Sequence, residues 1–519
     1  MRRISYVWLV AGLVVVSLMT GCLSPSFVSK SSPKLISARD MVDYASLDYK
    51  QGEVLVKANF GVDLTKTLAQ EGSEILYQWP ELGWVVATVP TGETEISLIQ
   101  KLKAYPEVLL VEPNMLYTLP EPPLDMDVRD TDVRQLQSGE EKEHEIDLFR
   151  QWGLRDINAE AAWAITTGSP DVIVAIVDTG VQVNHPEFAD KEFVDPFDAC
   201  VYDPTNPEED DHGHGTHVAG IAADDGRGGK IAGVAWDSPI MPIRVMDNAG
   251  SIYTQYLVEA MVYLGDYAEA NPSKRIVANM SIGGRGYSFA FKDAIDYAAE
   301  QGVLLVTSAG NDYKRVLSYP SAYNGVVSVA ASTPHGVKSD FSTTGWWNSV
   351  AAPGVRIYST VNNSDYVEMQ GTSMASPFVT GAVALLLSEY RDLTPTQIKN
   401  QLEQTARGNR FSEDLGYGII DVEAMLGELS PMAYGGLRVE TDLGQMDLGT
   451  GVITIYNRAG ELIAYGSTGE DGAHIFSALL PGEYTVALTY YDISEEKYVV
   501  KSQQATVTRG QPDTPVKFE

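Results

Sequence analysis

Apolar residues in the middle of the chain form short unbroken runs, the pattern of strands that are buried on both faces of a sheet. These runs cover residues 172–177, 240–245, 276–280, 303–307 and 326–330. Between them lie stretches whose apolar positions have helical spacing, at residues 216–223, 256–270 and 288–300. Strands that alternate with helices predict a parallel sheet covered by helices on both faces, so the expected fold class is α/β.

Two other patterns flank this region. Residues 53–111 alternate as strand, helix, two strands, helix and strand, which predicts a small α+β (βαββαβ) domain. Beyond residue 435, short alternating strands are separated by turn sequences such as Asn457-Arg458-Ala459-Gly460, which predicts an antiparallel β-sandwich. We therefore expect three folded domains, at residues 48–119, 151–429 and 436–519.

The first 22 residues predict export from the cytoplasm. Arg2 and Arg3 precede an apolar run over residues 7–19, which is too short for a comfortable membrane span. Because Cys22 directly follows Gly21, the segment resembles a bacterial lipoprotein processing site, which implies a lipidated Cys22 that holds the protein on a membrane. An ordinary signal peptide with an incidental cysteine is the alternative. The serine-rich residues 23–47 are interpreted as a spacer.

The chain of 519 residues is strongly acidic. Its 70 Asp and Glu against 37 Lys and Arg give a formal charge of −33, which argues against a nucleic-acid partner. Residues 120–150 contain ten acidic side chains, four basic ones and three prolines, so they are interpreted as a solvated linker. A protease would be cut from a preceding domain in such a segment. Cys200 is the only cysteine besides Cys22, so a lipidated Cys22 leaves no intramolecular disulfide.

Candidate chemistry follows several of the buried runs. Ser373 comes after Gly371-Thr372 and opens a long apolar run, which predicts a serine at a helix N-terminus, where backbone N–H groups and the helix dipole favour an anion. Pro377 is expected in the first turn of that helix. A serine hydroxyl needs a base, a group that orients the base, and donors for an oxyanion. Upstream stand Asp178 after the first strand, His214 between glycines, and Asn311 after another strand.

The order of these four residues, with their surroundings, resembles the subtilisin-like serine proteases. The resemblance implies that His214 is the general base, that Asp178 orients it, that Ser373 is the nucleophile and that Asn311 lines the oxyanion hole. The expected activity is hydrolysis of peptide bonds in proteins or peptides. On the residues alone, the cluster of His212, His214 and His217 could also be a zinc site, and Asn311 could merely close a turn.

The resemblance extends to substrate and ion sites. It implies a segment that pairs with the substrate backbone as an added strand, and a wall of the primary specificity pocket. The residues concerned are Ser281, Ile282, Gly283 and Gly284 for the segment, and Ser308 and Gly310 for the wall. It also implies a structural calcium ion, for which Glu187 and Asp225, in the loop 224–229, are the candidate ligands. An exposed glycine-rich turn is the alternative for that loop.

The flanking domains carry resemblances of their own. The βαββαβ unit resembles the pro-domains of the same family, which implies a zymogen whose own pro-domain acts as chaperone and intramolecular inhibitor. Cleavage of that domain would release the active part from its anchor. The C-terminal sandwich resembles transthyretin-like domains found beside peptidases.

Two other functions remain open from the sequence alone: a catalytically silent binding lipoprotein, and a surface scaffold that uses the C-terminal sandwich. Because Asp178, His214, Asn311 and Ser373 are all present, the enzyme is favoured.

Overall fold

A computed structural model describes residues 44–59, 61–119, 148, 150–200, 206–408, 411–427, 435–441, 451–460, 462–467, 472–492, 497–511 and 514–518. The predicted signal peptide, Cys22, nearly all of the spacer and nearly all of the acidic linker lie outside the described residues. Within the described part of the chain, no helix is both long enough and apolar enough to cross a membrane.

The N-terminal domain has the predicted βαββαβ order. Its elements are β1 (Tyr49–Ala58), α1 (Thr65–Gln70), β2 (Ile75–Trp79), β3 (Trp84–Thr88), α2 (Glu95–Leu102) and β4 (Val108–Tyr117). The strands pair antiparallel in the order β2-β3-β1-β4. Buried Leu68, Leu98 and Leu102 on the helices pack against Val54 and Val56 of β1. Strand β4 runs well past its predicted end at residue 111, because it continues onto the next domain.

The central domain contains the predicted parallel sheet. Its seven strands lie in the order β12-β11-β10-β9-β5-β7-β6, and every neighbouring pair is parallel. These strands are β5 (Val172–Asp178), β6 (Phe197–Asp198), β7 (Ile240–Arg244), β9 (Arg275–Met280), β10 (Leu304–Ser308), β11 (Val327–Ser332) and β12 (Asn348–Pro353). Alternate residues of β5 belong to two different apolar cores, one on each face. The sheet is therefore buried on both sides, as its sequence indicates.

Helices of the central domain cover the sheet: α3 (Trp152–Asp156), α4 (Ala159–Trp163), α5 (His214–Ala223), α6 (Thr254–Ala270), α7 (Phe289–Glu300), α8 (Thr372–Glu389), α9 (Pro395–Thr405) and α10 (Val422–Gly427). The helix that the sequence pattern predicts at residues 157–163 is α4, which begins two residues later, at Ala159, because Asn158 is left-handed (φ 58°). Helix α3 was not predicted. Pro377 is the sixth residue of α8 and lies outside its first turn, so that expectation was wrong. Strand β8 (Ile252–Tyr253) and the hairpin of β13 (Ile357–Val361) and β14 (Asp365–Met369) were not predicted.

The C-terminal region consists of two small sheets, which fits the predicted β-sandwich. The strands are β15 (Gly435–Thr441), β16 (Val452–Asn457), β17 (Leu462–Ser467), β18 (Ala473–Leu479), β19 (Gly482–Asp492), β20 (Lys497–Val507) and β21 (Thr514–Phe518). One sheet has the order β18-β15-β21 and the other β17-β16-β19-β20. All pairs are antiparallel except β15 with β21. The His474 ring packs edge-on against Trp346 of the central domain, with ring centres 5.1 Å apart.

The N-terminal domain docks on the N-termini of two central helices. The Glu112 carboxylate accepts hydrogen bonds from the Ser288 hydroxyl (2.6 Å) and from the backbone N–H groups of Phe289 (2.9 Å) and Ala290 (3.2 Å), at the start of α7. The Asn114 side-chain oxygen accepts from the Gln255 backbone N–H (3.2 Å), at the start of α6. Orphan helix donors are thus satisfied from the other domain.

Two tryptophans add polar contacts to this docking surface. The indole N–H of Trp79 donates to Glu259 (2.7 Å) on α6, and that of Trp84 donates to Asp293 (2.6 Å) on α7. Strand β8 also pairs with the end of β4, so one five-stranded sheet crosses from the N-terminal to the central domain.

We expect Glu112→Gln to flatten the pH dependence of stability. Burial raises the pKa of Glu112 from 4.5 to about 7. A carboxyl whose pKa is higher in the folded state stabilises that state below pH 4.5, and this contribution is lost as the pH rises through 7. In full-length chain inactivated by Ser373→Ala, the unfolding temperature should therefore fall between pH 5 and pH 8, and fall less when Glu112→Gln is added.

Differential scanning fluorimetry across that range measures the effect. Glu160→Gln, at an exposed position of α4, is the control and should leave the pH slope unchanged. Parallel pH curves with and without Glu112→Gln would contradict the role assigned to this carboxyl.

Candidate active site

Asp178 and His214 are in direct contact. Asp178 is the last residue of β5, and His214 is the first residue of α5. The Nδ1 atom of His214 lies 2.6 Å from Oδ1 of Asp178, and both side chains are fully buried. The same carboxylate oxygen accepts from the Thr179 backbone N–H (2.8 Å). With Nδ1–H donated to a carboxylate, the proton on the ring is fixed on that side and the Nε2 atom is the one left to act as a base.

A second buried carboxylate, Asp210, ties the two elements together. Its oxygens accept hydrogen bonds from the Thr179 hydroxyl (2.8 Å), the Gly213 N–H (2.8 Å), and the N–H (2.9 Å) and hydroxyl (2.7 Å) of Thr216. The Thr179 hydroxyl in turn accepts from the N–H of Gly215 (2.9 Å). Asp210 therefore satisfies the orphan donors at the start of α5 and fixes that helix against the end of β5.

The glycine after His214 allows the close approach of these elements. A Cβ atom on Gly215 would lie 2.1 Å from the carbonyl oxygen of Gly180. Because no side chain fits there, position 215 must be glycine for α5 to begin directly beside Asp178.

Ser373 is the second residue of α8 and is buried, as the sequence predicts for a serine at a helix N-terminus. Asn311 lies next to it in space. The side-chain oxygen of Asn311 accepts from the backbone N–H (3.0 Å) and the hydroxyl (3.1 Å) of Thr372. The Thr372 hydroxyl also accepts from the N–H of Gly310 (3.1 Å). Thr372 thus sets the orientation of the Asn311 amide.

The predicted substrate-binding segment follows β9, the strand beside β5. Ser281 and Ile282 are fully buried, and Gly283 exchanges two hydrogen bonds with Thr118 of the N-terminal domain. Thr118 N–H donates to the Gly283 carbonyl (2.8 Å), and Gly283 N–H donates back (3.0 Å), which is an antiparallel pairing. The tail of the N-terminal domain therefore occupies this segment as an added strand.

The next residue of the segment, Gly284, pairs with a residue of the central domain. Gly284 exchanges backbone hydrogen bonds of 2.9 and 2.8 Å with Tyr319. Ser308 is the last residue of β10, and Gly310 lies two residues later, so both lie at the same sheet edge as Asp178.

The other two histidines of the cluster differ in burial, and the His212 ring lies edge-on to the His214 ring, with ring centres 6.2 Å apart. His212 is exposed. His217 is fully buried within α5 and its Nε2 lies 3.1 Å from the Val367 carbonyl oxygen. Burial lowers the pKa of His217 from 6.5 to about 3, so this ring is neutral. Among the residues that the structure describes, no three His, Cys, Asp or Glu side chains are grouped to hold a metal ion.

Glu187 and Asp225, the candidate calcium ligands, both accept hydrogen bonds from the protein. Oε1 of buried Glu187 accepts from the hydroxyl of Tyr366, and Oε2 from the backbone N–H groups of Lys230 (3.3 Å) and Ile231 (3.4 Å). Asp225 accepts from the N–H of Arg227 (2.9 Å) and faces its guanidinium at 3.4 Å.

The sequence interpretation missed two residues of this site, Asp210 and Thr372. The signal for Asp210 was an acidic residue four positions before His214 in a glycine-bounded turn, and the signal for Thr372 was a hydroxyl directly before Ser373. Each is recognisable only once the partner side chain is placed in space.

Comparison with known proteins agrees with this geometry. The profile of the fervidolysin N-terminal prodomain matches residues 38–114, and that of the subtilase family (peptidase S8) matches residues 169–418. Fervidolysin from Fervidobacterium pennivorans is 31% identical over 554 residues, covering 92% of this chain and 75% of that protein. The minor extracellular protease Epr of Bacillus subtilis is 30% identical over 412 residues, covering 77% and 57%.

A solved structure extends the similarity to the fold. The crystal structure of fervidolysin, described as a keratinolytic enzyme related to subtilisin, matches with a TM-score of 0.67 at 27% identity, over 92% of this chain and 82% of the other. Both profiles match in chain order, and the same relative aligns over nearly the whole length. The chain therefore belongs to the subtilase family of serine endopeptidases and carries an N-terminal prodomain.

Proposed function

We propose that this chain is an exported endopeptidase that cleaves proteins or peptides through Ser373, His214, Asp178 and Asn311. The observation that carries the proposal is the buried 2.6 Å contact of Asp178 with His214. It lies at the carboxyl edge of a sheet whose other strand ends lead into the Asn311 loop and the segment 281–284. In open α/β sheets this edge is where functional groups collect.

In the proposed reaction, His214 Nε2 takes the proton of the Ser373 hydroxyl as its oxygen attacks the substrate carbonyl carbon. Asp178 holds the imidazole in the required tautomer and stabilises the imidazolium that forms. The C–N bond then breaks as His214 gives its proton to the leaving amine, and the acyl group remains as an ester on Ser373. Water, deprotonated by His214, attacks this ester, and the proton returns to the Ser373 oxygen as the acid leaves. The Asn311 amide and the Ser373 backbone N–H bind the oxyanion of the tetrahedral intermediate.

The prodomain is proposed to inhibit this site through its tail. The pairing of Thr118 with Gly283 puts prodomain backbone where a substrate strand would bind. Cleavage within the acidic segment 120–150 would then free the site. The proposed domain limits are 48–119 for the prodomain, 151–429 for the peptidase and 436–519 for a transthyretin-like β-sandwich, with the signal at 1–22 and the spacer at 23–47.

Export and anchoring are proposed from the N-terminal sequence. Basic residues, a short apolar run and Cys22 after Gly21 support a lipoprotein signal. Acyl chains on Cys22 contribute about 0.8 kcal/mol per buried methylene, so several chains give a firm membrane anchor.

We propose that a lysine of the protein, Lys191, places positive charge beside the acidic loop 224–229. The ammonium of nearly buried Lys191 donates to the Trp236 carbonyl (2.7 Å). Burial lowers the pKa of Lys191 to about 8, while Asp224, Asp225 and Asp237 act in the opposite direction. Lys191 thus supplies positive charge to the acidic loop. Calcium stays an expectation of the family resemblance, with Glu187 and Asp225 as its candidate ligands.

Fluorophosphonate labelling tests the nucleophile. Processed protein is expected to be labelled at Ser373, and Ser373→Ala should abolish both labelling and peptide hydrolysis. Asn311→Ala should retain labelling but reduce kcat by about 10²–10³, because one oxyanion donor is lost. Ser332→Ala, at a buried serine in β11, is the matched control and should be labelled normally. Label on another serine, or none on processed protein, would refute the assignment.

Membrane fractionation tests the anchor. The zymogen inactivated by Ser373→Ala should sediment with membranes, and mass spectrometry should find an acylated Cys22 as its first residue. Adding Cys22→Ser should move it to the soluble fraction. Cys200→Ser, at the buried second cysteine, controls for loss of a thiol and should stay with the membranes. Retention of the Cys22→Ser protein on membranes would rule out this anchor.

A further inference from the structure

The carbonyl oxygen of Ser373 lacks its normal helical partner. In an α-helix this oxygen accepts from the backbone N–H four residues later. For Ser373 that residue is Pro377, which has no N–H and whose ring crowds the carbonyl of the residue four positions before it. A buried carbonyl without a donor is costly, so another group must satisfy it.

Ser281 supplies the missing donor. Its Oγ lies 2.9 Å from the Ser373 carbonyl oxygen, and both residues are buried. The same Oγ lies 3.0 Å from Nδ2 of Asn279 and 2.9 Å from Oγ of Ser376. These three contacts fill the one donor and two acceptor positions of a hydroxyl.

Hydrogen-bond accounting fixes the direction of each bond. The carbonyl of Ser373 can only accept and the Nδ2 group of Asn279 can only donate, so the single proton of Ser281 goes to Ser373. Ser376 must then donate to Ser281. The Thr380 hydroxyl, one turn after Ser376 along α8, lies 3.0 Å from the Asn279 side-chain oxygen and 3.2 Å from the Ser376 carbonyl oxygen, so its proton is shared between two acceptors. The hydrogen bond from Ser281 to Ser373 is therefore the one that this network specifies.

We propose that Ser281 is a positioning residue that locks the nucleophile to the substrate-binding segment through this bond. The inference rests on the proposed roles of Ser373 and of the segment 281–284. Ser281 begins the segment along which the substrate backbone pairs, and its side chain holds the peptide group that follows the nucleophile. One hydroxyl thus fixes the distance between the bound carbonyl and the attacking oxygen.

The expected consequence is a loss in turnover rather than in binding. Ser281→Ala leaves the backbone of the segment in place, so KM should change by less than about threefold, while kcat should fall at least tenfold, because a misplacement of about 1 Å can cost about 10²-fold in rate. Ser281→Thr keeps a hydroxyl and should restore a large part of kcat.

The discriminating test is the double variant Ser281→Ala/Pro377→Ala. An alanine at position 377 has a backbone N–H that can donate to the Ser373 carbonyl, so the helix itself replaces the lost hydroxyl. We expect kcat to recover at least threefold over Ser281→Ala alone. Pro377→Ala alone measures the cost of losing the proline ring. If Ser281 acted only through packing, kcat of the double variant would fall below that of Ser281→Ala, because a second buried side chain is truncated.

Ser332→Ala controls for the removal of a buried hydroxyl, and unfolding temperatures of all variants separate activity from stability. Should Ser281→Ala not mature, the rate of prodomain removal in the full-length chain replaces kcat, and Pro377→Ala should restore it. Wild-type kcat in Ser281→Ala, a loss confined to KM, or no recovery in the double variant would overturn the proposal. An error in the proposed function gives a different result, because the fluorophosphonate would then not label Ser373 in the processed wild-type protein.

Discussion

The buried hydrogen bond between Asp178 and His214 is the contact on which the rest of the site depends. Burying the Asp178 carboxylate is costly, and the two hydrogen bonds that Oδ1 accepts, from the imidazole and from the Thr179 N–H, offset part of that cost. Low dielectric surroundings strengthen that interaction and hold the ring in one orientation. Because Asp178 ends a strand and His214 begins a helix, the geometry of the pair is set by rigid elements rather than by a mobile loop.

Polar side chains outside the proposed catalytic set hold the proposed reacting groups in place. Asp210 joins the histidine helix to the aspartate strand, Thr372 orients the Asn311 amide, and Ser281 holds the nucleophile peptide. Each also satisfies a backbone group: Asp210 at the start of α5, Thr372 the N–H of Gly310, and Ser281 the Ser373 carbonyl that Pro377 leaves without its helical donor. The same bonds that avoid unsatisfied buried groups therefore also position the chemistry.

The sequence predicted much of this arrangement because its strongest signals are local. Unbroken apolar runs identify strands buried on both faces, and the residues after them identify the sheet edge where Asp178 and Asn311 stand. What the sequence did not reveal depends on partners distant along the chain: Asp210 contacts Thr179 across 31 positions, and Ser281 contacts Ser373 across 92.

Two errors have local causes that the apolar pattern alone does not reveal. The helix predicted at residues 157–163 begins only at Ala159, after left-handed Asn158, and Pro377 lies deeper in its helix because α8 already begins at Thr372.

The docking of the prodomain bears on where the active enzyme would reside. With the proposed lipid on Cys22, a cut in the segment 120–150 would break only the covalent link between the anchor and the peptidase. The contacts of Glu112 with α7, of Asn114 with α6, and of the two tryptophans with the same helices are noncovalent, so they would survive that cut. A cleaved prodomain would therefore keep the peptidase at the membrane, and inhibited, until those contacts are lost. Release from the membrane and release from inhibition would then be a single event.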